Sequence, residues 1–186
     1  MKALKLAVAA VLIMTGLFCG GQEQAEQQPV ERPAGEGFDA MPAVAFEEIS
    51  EAEMDKFADA LPDVGAALKA AGFTPEEREE DEIPDALARL VKGMGQVEGV
   101  EAALVRNNTN WPEFSATMYK VMAASAALGL EMALAMAEGF ADESEEGKQM
   151  MAELEKARAF CERVPEENRE AIMQNMGRLE ALGDLN

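Results

Sequence analysis

The chain contains no histidine. That absence removes Ser-His and Cys-His nucleophile pairs, ordinary haem ligation and nearly all zinc or non-haem iron enzymes, because each depends on imidazole. Aromatic residues make up 5% of the sequence, with one Trp and one Tyr, too few for platforms on which bases or sugars stack. Basic residues are also scarce: 16 Lys and Arg stand against 36 Asp and Glu, a net charge of −20 over 186 residues. A field of that sign repels phosphate backbones and anionic lipid surfaces, which argues against nucleic-acid binding, and it attracts cations or basic partners. No run alternates with a period of two, so no strand is expected, and no repeat of fixed length occurs. Only two cysteines are present, Cys19 and Cys161, and their contexts do not suggest a disulfide.

What the chain does have is one very apolar segment, and the rest is organised around it. From Val121 to Ala137 the only charged residue is Glu131. Asn110 suits the N-cap, with Pro112 and Glu113 in the first turn. Phe114, Met118, Val121, Met122, Ser125, Leu128, Met132 and Ala135 then follow at steps of three or four, the spacing of one apolar helix face. Ala123, Ala127, Leu130 and Leu134 make a second row, so this helix belongs in the middle of a bundle. A membrane span is the weaker reading, since Glu131 at mid-membrane would cost about 2.5–3.5 kcal/mol and no basic cluster flanks the run.

At the start of the chain Lys2 and Lys5 precede an uncharged, mostly apolar run from Leu6 to Phe18, and Cys19-Gly20-Gly21 follows. Basic, apolar and small residues in that order form a secretory signal. The lone Cys closing the apolar run, followed by Gly-Gly and a Gln/Glu-rich stretch, resembles a bacterial lipoprotein precursor. That resemblance implies cleavage before Cys19, acylation of Cys19 and retention at the periplasmic face of the outer membrane. An ordinary signal cut after Gly21 or Ala25, leaving a soluble periplasmic or secreted protein, is the alternative. Residues 1–18 are therefore expected to be the signal peptide, and 19–45 the lipid-attachment Cys with a disordered acidic tether. If flexible, that tether spans about 25–30 Å r.m.s..

Residues 46–186 are expected to fold as an all-α domain, a compact bundle of about five or six helices around the central apolar one. Ser50 with Glu53 makes a capping box, and Ile49 with Met54 has the hydrophobic-staple spacing. Met54, Phe57, Ala58 and Leu61 form the inward stripe that follows, Pro62 should kink or restart the helix, and Gly72 should stop it. Pro84 opens the next helix, with Leu87, Leu90, Val91 and Met94 inward. The glycines at 93, 95 and 99 should break it before a short helix from Val100 to Val105. Asn107-Asn108-Thr109 is read as a connection and Gly139 as a stop. Asp142 and Glu145 cap a helix with Met150, Leu154, Ala157 and Cys161 inward. Val164-Pro165 leads into a last helix with Ile172, Met176 and Leu179 inward and Gly183 as its end.

Few residues suggest chemistry. Glu131, a carboxylate in an apolar helix, would act as a general acid if desolvated and unpaired, or would pair with Lys120, Arg158 or Arg169. Met118 with Met122, and Met132 with Met136, each lie one turn apart, which suits core filling, an adaptable apolar groove or, less well, Cu(I). The run from Asp142 to Glu153 partly matches a calcium-binding loop, although Gln149 takes an aliphatic position and no second loop pairs with it. The acidic run Glu76 to Glu82 reads as a solvated face, and Cys161 as a small buried hydrophobe. No cofactor or resident metal is expected, and no enzyme.

These features predict an exported, lipid-anchored helical protein acting as a binding or interaction module in the cell envelope. Its expected partners are the membrane, through the N-terminal anchor, and a basic protein. A carrier of a small apolar ligand or lipid, held in a groove formed by Met118, Met122, Glu131, Met132 and Met136, is the alternative. An enzyme using Glu131 is the third reading. The helical part resembles the small helical lipoproteins of Gram-negative bacteria, which implies no activity.

Overall fold

The computed structural model describes residues 41–74, 83–137 and 145–179. Within these residues the chain is all-α, with six helices and no strand. A short 3-10 turn, Ala43–Phe46, precedes α1 (Glu51–Ala70), α2 (Ile83–Met94), α3 (Val100–Arg106), α4 (Trp111–Ala137), α5 (Glu145–Arg163) and α6 (Glu166–Leu179). By length and composition α4 would also cross a membrane. Here it is the helix that the 3-10 turn, α1, α3, α5 and α6 all pack against.

The local signals account for most of the boundaries. Ser50 closes a full capping box: its Oγ accepts from the Glu53 N–H at 3.3 Å, and Glu53 Oε2 accepts from the Ser50 N–H at 2.8 Å. Ile49 and Met54 on either side of it are buried, as the staple requires. Gly72 ends α1 with φ +64°, a conformation that costs a residue with a Cβ, and the Phe73 N–H reaches back to Leu68 O at 3.0 Å. Asn110 caps α4 through its Oδ1, which accepts from the Glu113 N–H at 3.0 Å. The restart offered at Pro62 does not occur, because α1 runs continuously through it. Pro62 lies on the exposed face, while Ala58, Leu61 and Val64 are buried on both sides of it. Their packing offsets the lost backbone bond, worth about 3 kcal/mol.

The core is centred on the first half of α4. Phe57 and Phe114 stack with ring centroids 4.8 Å apart, and Trp111 lies against Phe114 at 6.0 Å. Burying each Phe side chain is worth about 1.5–3 kcal/mol. Leu87, Val91 and Met94 from α2, Val100 and Leu104 from α3, Phe160 and Cys161 from α5, and Ile172 and Leu179 from α6 complete it. The folded part begins earlier than the sequence boundary at 46 suggests. Met41 and Ala45 are buried, and residues 41–49 form a strap across the bundle.

Side chains, rather than a backbone ladder, hold that strap. Asn168 at the head of α6 is fully buried; its Oδ1 accepts from the Ile49 N–H at 2.7 Å, and its Nδ2 donates to Glu47 O at 2.8 Å. From α4, Lys120 Nζ donates to Glu48 O at 3.0 Å. Phe46 packs edge-on against Phe160 at 5.9 Å, with the Arg163 guanidinium 3.8 Å above its ring. Three consecutive backbone polar groups of the strap thus find partners without a second strand.

Candidate binding surfaces

The apolar stripe of α4 is buried in its first turns and becomes exposed along its methionine row, while Leu134 on the neighbouring row stays buried. Phe114, Met118 and Val121 are buried, whereas Met122, Met132 and Met136 are 36%, 52% and 65% exposed. Ser125 and Gly129 continue the same face between them, so the ridge is about 21 Å long from Met122 to Met136. The groove expected around Met118, Met122, Glu131, Met132 and Met136 is therefore not formed by these side chains. Met118 is in the core, three methionines face solvent, and Glu131 points about 100° round the helix from Met132. None of the five lines either of the two open clefts described below.

Glu131 is half-exposed and ion-paired with Arg169 of α6, one of the partners expected for it. Arg169 also donates to Cys161 O at 3.4 Å, so the pair fastens α4 to the junction of α5 and α6. Cys161 is buried and free, and its Sγ–H lies 3.6 Å from Ala127 O. Burial, and then the nearby Glu131 carboxylate, raise its thiol pKa, which keeps it protonated and unreactive.

Two open clefts flank the first turns of α1. One, of about 490 Å³, lies between the strap, α1 and the start of α4, with Phe57 and Phe114 in its wall. Lys120 is 4% exposed at its edge and donates to Glu53 Oε1 at 3.0 Å, with Glu47 Oε2 farther off at 3.9 Å. Burial raises the Glu53 pKa, but hydrogen bonds from Ser50 and the Lys120 ammonium outweigh it, and the net shift is downward. Lys56 and Glu113 face each other at 3.9 Å in the same cleft. The second cleft, of about 600 Å³, separates α1 from α6 and includes Glu51, Asp55, Glu167, Glu170 and Arg178. Arg178 fastens it by donating to Asp55 at 2.7 Å and Asp59 at 2.9 Å.

Sequence reasoning missed Lys120 and Asn168. Lys120 pairs with Glu53, not with Glu131 as offered above. The signal was present in the spacing. Lys120 shares a face with Ala123, Ala124 and Ala127, all fully buried, and Asn168 heads the row continued by Ile172, Met176 and Leu179. A lone polar residue on an apolar row either reaches out of the core or is bonded within it. The acidic run Glu76 to Glu82, most of the partial calcium loop, Gly139, Asp142, Gly183 and Cys19 lie outside the described residues. Among the described residues no group of three or more His, Cys, Asp or Glu is arranged to hold a metal ion. No protein-family model, curated protein or solved structure matches this chain.

Proposed function

We propose that the chain is an exported, lipid-anchored interaction module of the cell envelope whose α4 ridge receives the apolar face of a basic protein segment. The observation that carries this reading is the ridge itself. Met122, Met132 and Met136 are exposed along one face of a helix whose earlier turns are core. Methionine is unbranched and polarizable, so a row of exposed methionines adapts to the shape of an opposing helix. The sign of the partner follows from the net charge of −20, which steers cationic segments toward the surface and repels acidic ones. The anchor is read from Lys2 to Gly21, and a lipid on Cys19 would hold the domain at the periplasmic face of the outer membrane. An enzyme reading has no support in the Glu131–Arg169 pair, and the ligand-carrier reading loses its methionine groove.

The test has two arms. Mass spectrometry of the mature protein from its own envelope should show acyl chains on Cys19, and a Cys19→Ser variant should leave the membrane fraction. Photo-crosslinking groups placed singly at positions 122, 132 and 136 should give one common protein adduct in intact cells, and a group at exposed position 105 should not. An unmodified Cys19 would end the anchored reading. Ridge positions that give no adduct beyond that seen at position 105 would end the interaction reading.

A further inference from the structure

We propose that the cleft between the strap, α1 and the start of α4 is a binding site for a small zwitterion of amino-acid size with an apolar side chain. The cleft is independent of the methionine ridge. Its volume of about 490 Å³ falls in the range of small-molecule sites. Two cation–carboxylate pairs cross it, and both are open: Lys56 of α1 to Glu113 of α4, and Lys120 of α4 to Glu47 of the strap, each at 3.9 Å. At that separation neither pair makes a direct hydrogen bond, so each charge keeps capacity for a further partner reached from the open side of the cleft.

Lys120 sharpens the point. An ammonium carries three N–H donors, and two of them are taken by Glu48 O and Glu53 Oε1, both at 3.0 Å. The third has only Glu47 at 3.9 Å, although the residue is 4% exposed and lines the cleft. A ligand carboxylate would satisfy it together with Lys56. Glu53 is already engaged by Lys120 and Ser50. That leaves Glu47 and the second carboxylate oxygen of Glu113, whose Oε2 accepts from Thr109 Oγ1 at 3.2 Å, as acceptors for an ammonium group, balanced against the two lysines. A plain anion would meet those acids, and a plain cation would meet the lysines. A zwitterion satisfies both, while Val44, Ala52, Pro112 and Ala116 offer the apolar surface its side chain needs.

The experiment is a titration of the full mature chain with L-leucine and L-phenylalanine, followed by calorimetry and by amide chemical shifts. Saturable binding with shifts at Lys56, Glu113 and the strap is expected. N-acetyl-L-leucine, which lacks the ammonium, and L-leucinamide, which lacks the carboxylate, should each bind about tenfold more weakly or worse. Lys56→Met and Glu113→Gln are each at exposed positions, spare the buried Lys120, and should weaken L-leucine binding by a similar factor. A Met132→Lys variant, which breaks the ridge, should bind the amino acid unchanged, so failure of one site is separable from failure of the other. The proposal is overturned if neither amino acid saturates by about 10 mM. It is equally overturned if the capped forms bind as well as the parent, or if both cleft variants titrate like the native chain.

Discussion

Replacing Asn168 by Ala is the sharpest probe of how this bundle is closed. The side chain is fully buried and satisfies two groups 119 and 121 residues away, the Ile49 N–H at 2.7 Å and Glu47 O at 2.8 Å. Ile49 is itself 5% exposed, so its N–H would be left without water, at about 2–3 kcal/mol. Glu47 is exposed, and its carbonyl can find solvent, which limits that loss to about 1 kcal/mol. The expected destabilisation is therefore about 3–4 kcal/mol, a large share of the ~5–15 kcal/mol available to a domain. At about 3 °C per kcal/mol for a domain of this size, Tm should fall by about 10 °C. Circular dichroism at 222 nm measures the melt, and hydrogen exchange resolved along the chain locates the loss. Amides of residues 43–50 should lose protection first, ahead of those in α4. Asn168→Asp keeps the acceptor for Ile49 but turns the donor facing Glu47 O into a second acceptor, so it should be no more stable than the Ala variant. A Tm change below about 2 °C with unchanged exchange in the strap would refute the account, because two buried bonds cannot vanish without cost.

Acid should loosen the same region through Glu53. Its folded pKa is held below the ordinary 4.5, so its contribution is fully present above the unfolded value and is lost as pH falls through the lowered one. Stability measured by urea unfolding should thus decline below about pH 4.5, and Glu53→Gln should flatten that part of the decline while lowering stability at pH 7. Just past α2, a Cβ on Gly95 would lie 2.5 Å from the Trp111 ring. Gly95→Ala should cost about 1–3 kcal/mol and shift the emission of the only Trp in the chain, whereas an unchanged spectrum would mean that the ring is free to move. Met118→Ala, inside the core, should cost about 2–5 kcal/mol, while Met132→Ser on the ridge should stay within about 0.5 kcal/mol by the same melt. Equal costs would contradict the division of the α4 stripe.

What could be read from the sequence and what could not differ in the length of chain involved. The Ser50–Glu53 box, the Asn110 cap and the Gly72 stop each depend on residues three to five apart, and all three form. The strap depends on Asn168 meeting residues 47 and 49, and on Lys120 meeting a carbonyl 72 residues earlier. Periodicity marks both side chains as facing inward, but it cannot name a partner that another helix brings. Pro62 differs in another way. Its local rule allows a restart, but the apolar residues on either side of it are buried together and keep the helix continuous.

The methionine ridge combines both limits. Spacing correctly places Met118, Met122 and Met132 on one continuous face, yet it says nothing about how much of that face has a neighbour. What the neighbours cover decides the matter. With 27 residues, about 40 Å, α4 is the longest described helix. Leu134 keeps one row buried near its C-terminal end, while the methionine row grows more exposed along the helix. Exposure rises from 36% at Met122 through 52% at Met132 to 65% at Met136. Burying Met122, Met132 and Met136 would each return about 1.5–3 kcal/mol to whatever covers them. A chain that needed only stability could shorten α4 or make these positions polar. Apolar side chains left exposed beside a row that the core covers fit the proposed docking face.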